Sequence, residues 1–127
     1  MKNILVIGAA GQIGSELVPY LRKIYGDGHV VATFNHTPLP KDIMDAGPSA
    51  QVNATDGNSL NAVVKKHNID TIFNLVAVLS AKGEANPAQS WKINMVMNQI
   101  IILQRICMII ILHHFYRMLK KTEMMEL

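Results

Sequence analysis

The residues best placed to do chemistry are Gly8-Ala9-Ala10-Gly11-Gln12-Ile13-Gly14, directly behind the apolar run Ile4-Leu5-Val6-Ile7. In such a turn, three glycines have separate uses. One permits a sharp reversal, one lets backbone N–H groups come close to a phosphate, and one lets a helix pack tightly on a strand. A helix that starts at such a turn offers unpaired N–H groups and the positive end of its dipole, so the chemistry is anion binding, most naturally a pyrophosphate. A glycine turn alone is weak evidence, because an unliganded strand–helix turn uses the same residues. The flanking strand and helix supply the context.

Other reactive side chains make poorer sites. Cys107 is the only cysteine, which excludes an intramolecular disulfide and gives no metal-site spacing. His113 and His114 are adjacent, and adjacent residues on a helix point about 100° apart, so one metal would rarely use both. No metal site is expected. One Tyr-x-x-x-Lys spacing exists, Tyr116 to Lys120.

The elements that must position the turn follow from hydrophobic periodicity. Ile4–Ile7 reads as a buried strand, and the helix from Gln12 places Ile13, Leu17, Leu21 and Ile24 on one face. Pro19 removes an N–H inside that helix and should kink or strain it. Gly26-Asp27-Gly28 is a turn, and His29–Phe34 a second strand. Residues 35–49, with Pro38, Pro40, Gly47 and Pro48, read as a surface loop, and Ala50-Gln51-Val52 as a short third strand. Ser59–His67 is helical, with Leu60, Val63, Val64 and His67 on one face. Ile69–Ser80 is apolar enough for a buried parallel strand. Asn86-Pro87-Ala88-Gln89 has the form of a helix start, with a cap, a first-position proline and a capping-box glutamine. Strand–helix alternation through residue 92 predicts an α/β fold with a parallel sheet and right-handed crossovers.

Composition agrees with a folded chain. Of 127 residues, 50% are apolar and 17% charged, enough for one domain with one core. Residues 1–92 carry eight Lys/Arg against seven Asp/Glu, and no basic cluster marks a nucleic-acid footprint. The amino terminus has one basic residue and an apolar run cut short by Gly8, so it reads as a first strand and not a targeting peptide. A cytoplasmic protein is expected.

Past Trp91 the composition changes. Residues 93–127 contain no Gly, Pro, Ala, Ser or Asp, yet hold six of the eight methionines and eight isoleucines. Asn94, Asn98, Gln99, Gln104 and Arg105 interrupt any window of the roughly 20 apolar residues that a membrane span needs. The expectation is a long helix with an over-apolar face, able to drive self-association or docking on a partner. The chain thus divides into 1–95, the α/β portion, and 96–127, an Ile/Met-rich tail. The break in composition points to a change of reading frame near Met95.

Residues 1–95 resemble the amino-terminal part of an extended short-chain dehydrogenase/reductase, closest to the short-chain-type L-threonine 3-dehydrogenases, relatives of the nucleotide-sugar epimerases. The resemblance is carried by the stretch from Gly8 through Pro19 to Gly26, by Leu79-Ser80-Ala81-Lys82-Gly83-Glu84-Ala85-Asn86-Pro87-Ala88, and by Trp91-Lys92-Ile93-Asn94-Met95. It implies a Rossmann-like NAD domain, here incomplete, and a reaction that moves a hydride from the hydroxyl-bearing carbon of L-threonine to NAD. The family's proton chemistry uses a Ser or Thr with a Tyr-x-x-x-Lys pair, whose lysine cation lowers the tyrosine pKa.

Residue by residue, the resemblance assigns Gly8, Gly11, Gln12, Ile13 and Gly14 to the pyrophosphate. Phe34 falls beside the adenosine or against the sheet, and Asn53 and Ala54 at the adenine. Leu75, Val76 and Ala77 border the ribose and pyrophosphate, Ser80 lies near the substrate, and Asn94 supports the active site. Three departures stand out. The carboxylate expected near the end of the second strand is replaced by Phe34-Asn35-His36, the adenine-binding aspartate by Asn53, and a histidine by Asn74. Between Asn94 and Tyr116 no serine or turn former appears, so no catalytic residues are assigned and the chain is expected to be inactive alone.

Overall fold

A computed structural model describes residues 1–76, the helical positions Pro87, Ala88, Trp91 and Met95, and the backbone of residues 107–110. Among the described residues, five parallel strands form one sheet in the order β3-β2-β1-β4-β5. They are β1 (Ile4–Ile7), β2 (Val30–Phe34), β3 (Ser49–Gln51), β4 (Thr71–Asn74) and β5 (Cys107–Ile110). Between them run α1 (Gln12–Tyr25), α2 (Lys41–Ala46) and α3 (Gly57–Lys66).

Alternation along β1 divides the core. Ile4 and Val6 face α1 and α2, packing with Val18, Leu21, Val30, Ala32, Leu39, Ile43 and Phe73. Leu5 and Ile7 face the α3 side, with Val31, Val52, Leu60, Val64, Ile69 and Ile72. All four β1 residues are buried, as a central parallel strand requires. From β1 the chain adds β2 and then β3 on one side, and returns to place β4 on the other. The order therefore reverses between β1 and β4, opening a crevice at their carboxyl ends.

The structure corrects several expectations. The buried face of α1 is Gly14, Val18, Leu21 and Arg22, with Leu17 half-buried, while Ile24 is 55% exposed. Close contact at Gly14 sets which side of the helix meets the sheet, and Arg22 takes a core position that periodicity had given to apolar residues. The helix runs unbroken through Pro19, which lies on the exposed face. The loop expected at 35–49 contains α2, whose Ile43 is buried, and β3 begins at Ser49. Val52 still joins the ladder, its N–H donating to the Phe34 carbonyl at 2.8 Å. Helix α3 begins at Gly57, two residues early, because Asp56 caps it by accepting from the Asn58 N–H.

The long apolar helix expected over the tail is corrected at 107–110. These residues form a parallel strand on β4, with Thr71 opposite Cys107 and Asn74 opposite Ile110. Beta-branched Ile109 and Ile110 suit a strand, and β4 would otherwise present an unpaired edge. A further strand is thus present at 107–110, which the absence of turn formers between Asn94 and Tyr116 had argued against.

Candidate functional site

The glycine turn lies at the carboxyl end of β1, at the reversal of strand order. Gly8 has φ +82°, a left-handed conformation that favours glycine, and a Cβ there would lie 3.3 Å from Leu75 and Val76. The turn is pinned on both sides. Ala9 N–H donates to the Thr33 carbonyl at 2.9 Å, and Leu75 N–H to the Ile7 carbonyl at 2.9 Å. Thr33, which the sequence did not single out, also sends its buried hydroxyl to the Val6 carbonyl at 2.9 Å.

Gly11 donates to the Gly8 carbonyl at 3.2 Å and serves as the N-cap of α1, with no side-chain cap and no acidic residue in the first turn. The N–H groups of Gln12, Ile13 and Gly14 have no acceptor among the described residues. They point out of a fourteen-residue helix whose dipole favours an anion. Gly14 is the closest approach: a Cβ there would lie 2.5 Å from the Ala9 Cα and 2.6 Å from the Gly8 carbonyl oxygen. All five sequence-assigned residues of the turn thus come together, with Leu75 alongside.

The neighbouring strand ends hold the other assigned residues. Phe34, at the end of β2, is half-buried and packs on the α1-side core, the second of the two places given to it. No carboxylate follows it, and the Asn35 carbonyl accepts from Gln51 Nε2 at 2.9 Å. Ala54 belongs to the core. Asn53 is exposed, and its Oδ1 accepts from both the N–H and the hydroxyl of Thr55, at 2.9 and 2.7 Å. Buried Asn74 closes β4 by accepting from the Val76 N–H at 3.1 Å. Ala77, Ser80, Asn94, His113, His114, Tyr116 and Lys120 lie outside the described residues.

The groups with displaced pKa values lie elsewhere. Burial lowers that of Arg22 against the opposing effect of Asp27, and burial with neighbouring Lys66 lowers that of His67. At Asp70 burial pushes upward, but hydrogen bonds from Thr71, Lys2 and Asn3 and the terminal ammonium outweigh it, and the net shift is downward. Among the described residues no group of three His, Cys, Asp or Glu could hold a metal, and no helix is long and apolar enough to cross a membrane.

A strand–glycine-turn–helix unit at the reversal point of a parallel sheet is a dinucleotide-binding geometry. The family model for NAD dependent epimerase/dehydratase proteins matches residues 4–105. The chain belongs to that family. A relative in Staphylococcus epidermidis, named an uncharacterized epimerase/dehydratase, is 41% identical over 95 residues, covering 75% of this chain and 30% of its own length. Among solved structures, L-threonine dehydrogenase from Clostridium difficile is 32% identical with a TM-score of 0.72, covering 85% of this chain and 35% of that one. The GalE-like L-threonine dehydrogenase from Cupriavidus necator is 36% identical with a TM-score of 0.68, covering 81% and 33%. The chain spans about a third of the length of the proteins it matches.

NAD is the cofactor of this family, and the turn fits its pyrophosphate. Gly11 puts no Cβ at the start of α1, three N–H groups are free among the described residues, and no carboxylate in the first turn opposes an anion.

Proposed function

We propose that this chain is the dinucleotide-binding portion of an L-threonine 3-dehydrogenase-like oxidoreductase. The observation that carries this reading is the turn from Gly8 to Gly14, with the free N–H groups of Gln12, Ile13 and Gly14 at the switch point of the sheet. Likeness to two L-threonine dehydrogenase structures supports the substrate class. When bound, NAD accepts a hydride from the hydroxyl-bearing carbon of the substrate. The turn holds the pyrophosphate, Leu75 and Ala77 border it, Asn53 lies at the adenosine end with Phe34 and Ala54 packed in the core, and Ser80 meets the substrate. No Ser, Tyr and Lys set for proton transfer is assigned, so the chain alone binds the dinucleotide without turning over threonine.

Calorimetric titration with NAD and then NADP tests the cradle, and saturable binding of NAD is expected. Absence of binding by either removes the reading. Threonine-dependent NAD reduction should be absent from this chain and present in a longer product that carries the family's remaining segments. The name of the staphylococcal relative favours a second reading, an epimerase or dehydratase, for which the resemblance to nucleotide-sugar epimerases suggests a sugar-nucleotide substrate. Epimerisation or dehydration of a sugar nucleotide with no net reduction of NAD, and no threonine-dependent reduction, in that longer product, would select it.

The Ile/Met-rich stretch 96–127 is read as a departure from the family's continuation, and translating the other frames of the gene tests that. Self-association through the same stretch is read by light scattering.

A further inference from the structure

Asn53 carries one more inference, which rests on the dinucleotide reading above. With the pyrophosphate at the end of β1, a nucleoside running across the strand ends passes β2 and reaches β3 about 10 Å away, two strand spacings. The β1-β2-β3 side is the adenosine half of a dinucleotide site, so the base falls over the residues that follow β3. Asn53 is the exposed polar residue there, two positions beyond Gln51.

The orientation of its amide is set by hydrogen bonding. The Thr55 N–H donates to Asn53 Oδ1 at 2.9 Å, and a backbone N–H can only donate, so the oxygen and not the nitrogen must face Thr55. The Thr55 hydroxyl takes the oxygen's second lone pair at 2.7 Å. The polar atom left for a base is Nδ2, a pure donor. An aspartate here would keep one oxygen for Thr55 and offer the other as an acceptor; asparagine offers two N–H groups instead.

Adenine places a donor at its 6-position amine, which a donor cannot satisfy, whereas a 6-oxopurine places an acceptor at the same point. We propose that Asn53 turns the base selectivity of this cradle away from adenine and toward a 6-oxopurine such as hypoxanthine.

The test is calorimetric titration of the chain with NAD and with nicotinamide hypoxanthine dinucleotide, for the wild type and Asn53→Asp. The wild type is expected to bind the hypoxanthine form about fivefold more tightly, the equivalent of one net hydrogen bond. Asn53→Asp, which preserves the acceptor for Thr55, should reverse the order. Tighter binding of NAD by the wild type, equal binding of the two, or a ratio unchanged by Asn53→Asp overturns the inference while leaving the dinucleotide site standing. A wild-type preference for NAD would mean that Nδ2 meets ring N1, an acceptor in adenine and a donor in hypoxanthine. No binding of either dinucleotide by either protein overturns the site itself and this inference with it. The wild-type ratio stands even if the variant fails to fold.

Discussion

Replacing Gly14 with alanine sets two effects of opposite sign against each other. Alanine is the better helix former, and in a helix interior the exchange alone would stabilise by about 1 kcal/mol. Against that, the added Cβ would lie 2.5 Å from the Ala9 Cα, 2.6 Å from the Gly8 carbonyl oxygen and 2.8 Å from the Ala9 carbonyl carbon. Ordinary contact begins near 3.4 Å, so the methyl falls short by 0.9 Å at its worst contact. All three neighbours are backbone atoms of the turn, so no rotamer change relieves the overlap, and α1 must shift bodily away from β1. Overpacking of this kind costs about 1–3 kcal/mol, and the rigidity of the neighbours places it at the upper end. The net expectation is destabilisation by roughly 2 kcal/mol, a fall of roughly 7–10 °C in Tm for a domain of this size. Thermal unfolding followed by far-ultraviolet circular dichroism reads it. Gly28→Ala serves as the control, since nothing lies within 4 Å of a Cβ there, and it should stay within about 0.5 kcal/mol of wild type. The same shift would displace the Gln12 and Ile13 N–H groups, so NAD affinity should fall as well. A Gly14→Ala protein as stable as wild type, or more so, would refute the packing argument and with it the reason for a third glycine.

Arg22 is 4% exposed and donates to the carbonyls of Val30, Ile43 and Pro48, the Ile43 contact being 2.6 Å, in space that Gly47 leaves open. Arg22→Met leaves three inward carbonyls without that donor and should cost about 3 kcal/mol, read from the urea midpoint; a cost under about 1 kcal/mol would show that water replaces the guanidinium. Asp56→Ala removes the cap of α3 and should cost about 1 kcal/mol by the same measurement, with no change refuting the capping role. The folded-state pKa of Asp70 is depressed, so its stabilisation is present above the ordinary carboxylate pKa and is lost as pH falls through the folded value. Asp70→Asn, measured as urea midpoint against pH, should flatten the acid limb, and an acid limb as steep as that of wild type would contradict this.

The glycine turn was legible because its information is local. Three glycines, a strand of four apolar residues and the start of a helix lie within a single stretch of chain, and they are also what an anion meets. Helix α3 was legible for the same reason, since Leu60 and Val64 recur at helical spacing and both are buried. The buried face of α1 was not. Periodicity marks an apolar stripe but does not say which neighbour sets the rotation, and contact between Gly14 and Ala9 turned Arg22 inward and Ile24 outward. Helix α2 was hidden because three prolines and a glycine around it carry the signature of a loop, although the Pro40 carbonyl accepts from the Met44 N–H and so starts the helix.

By itself the sequence determined β1, α1, β2, α3 and the glycine turn between β1 and α1, because hydrophobic period and glycine placement act over a few residues. Tertiary structure alone decided two further matters. Cys107–Ile110 became a strand because β4 offered an unpaired parallel edge, a partner more than thirty residues away that no local pattern reveals. Asn53 was left with its amide nitrogen as its remaining polar atom because Thr55 claims its oxygen. The turn from Gly8 to Gly14 was local enough to read from the sequence; the hydrogen bonds that orient the Asn53 amide were not.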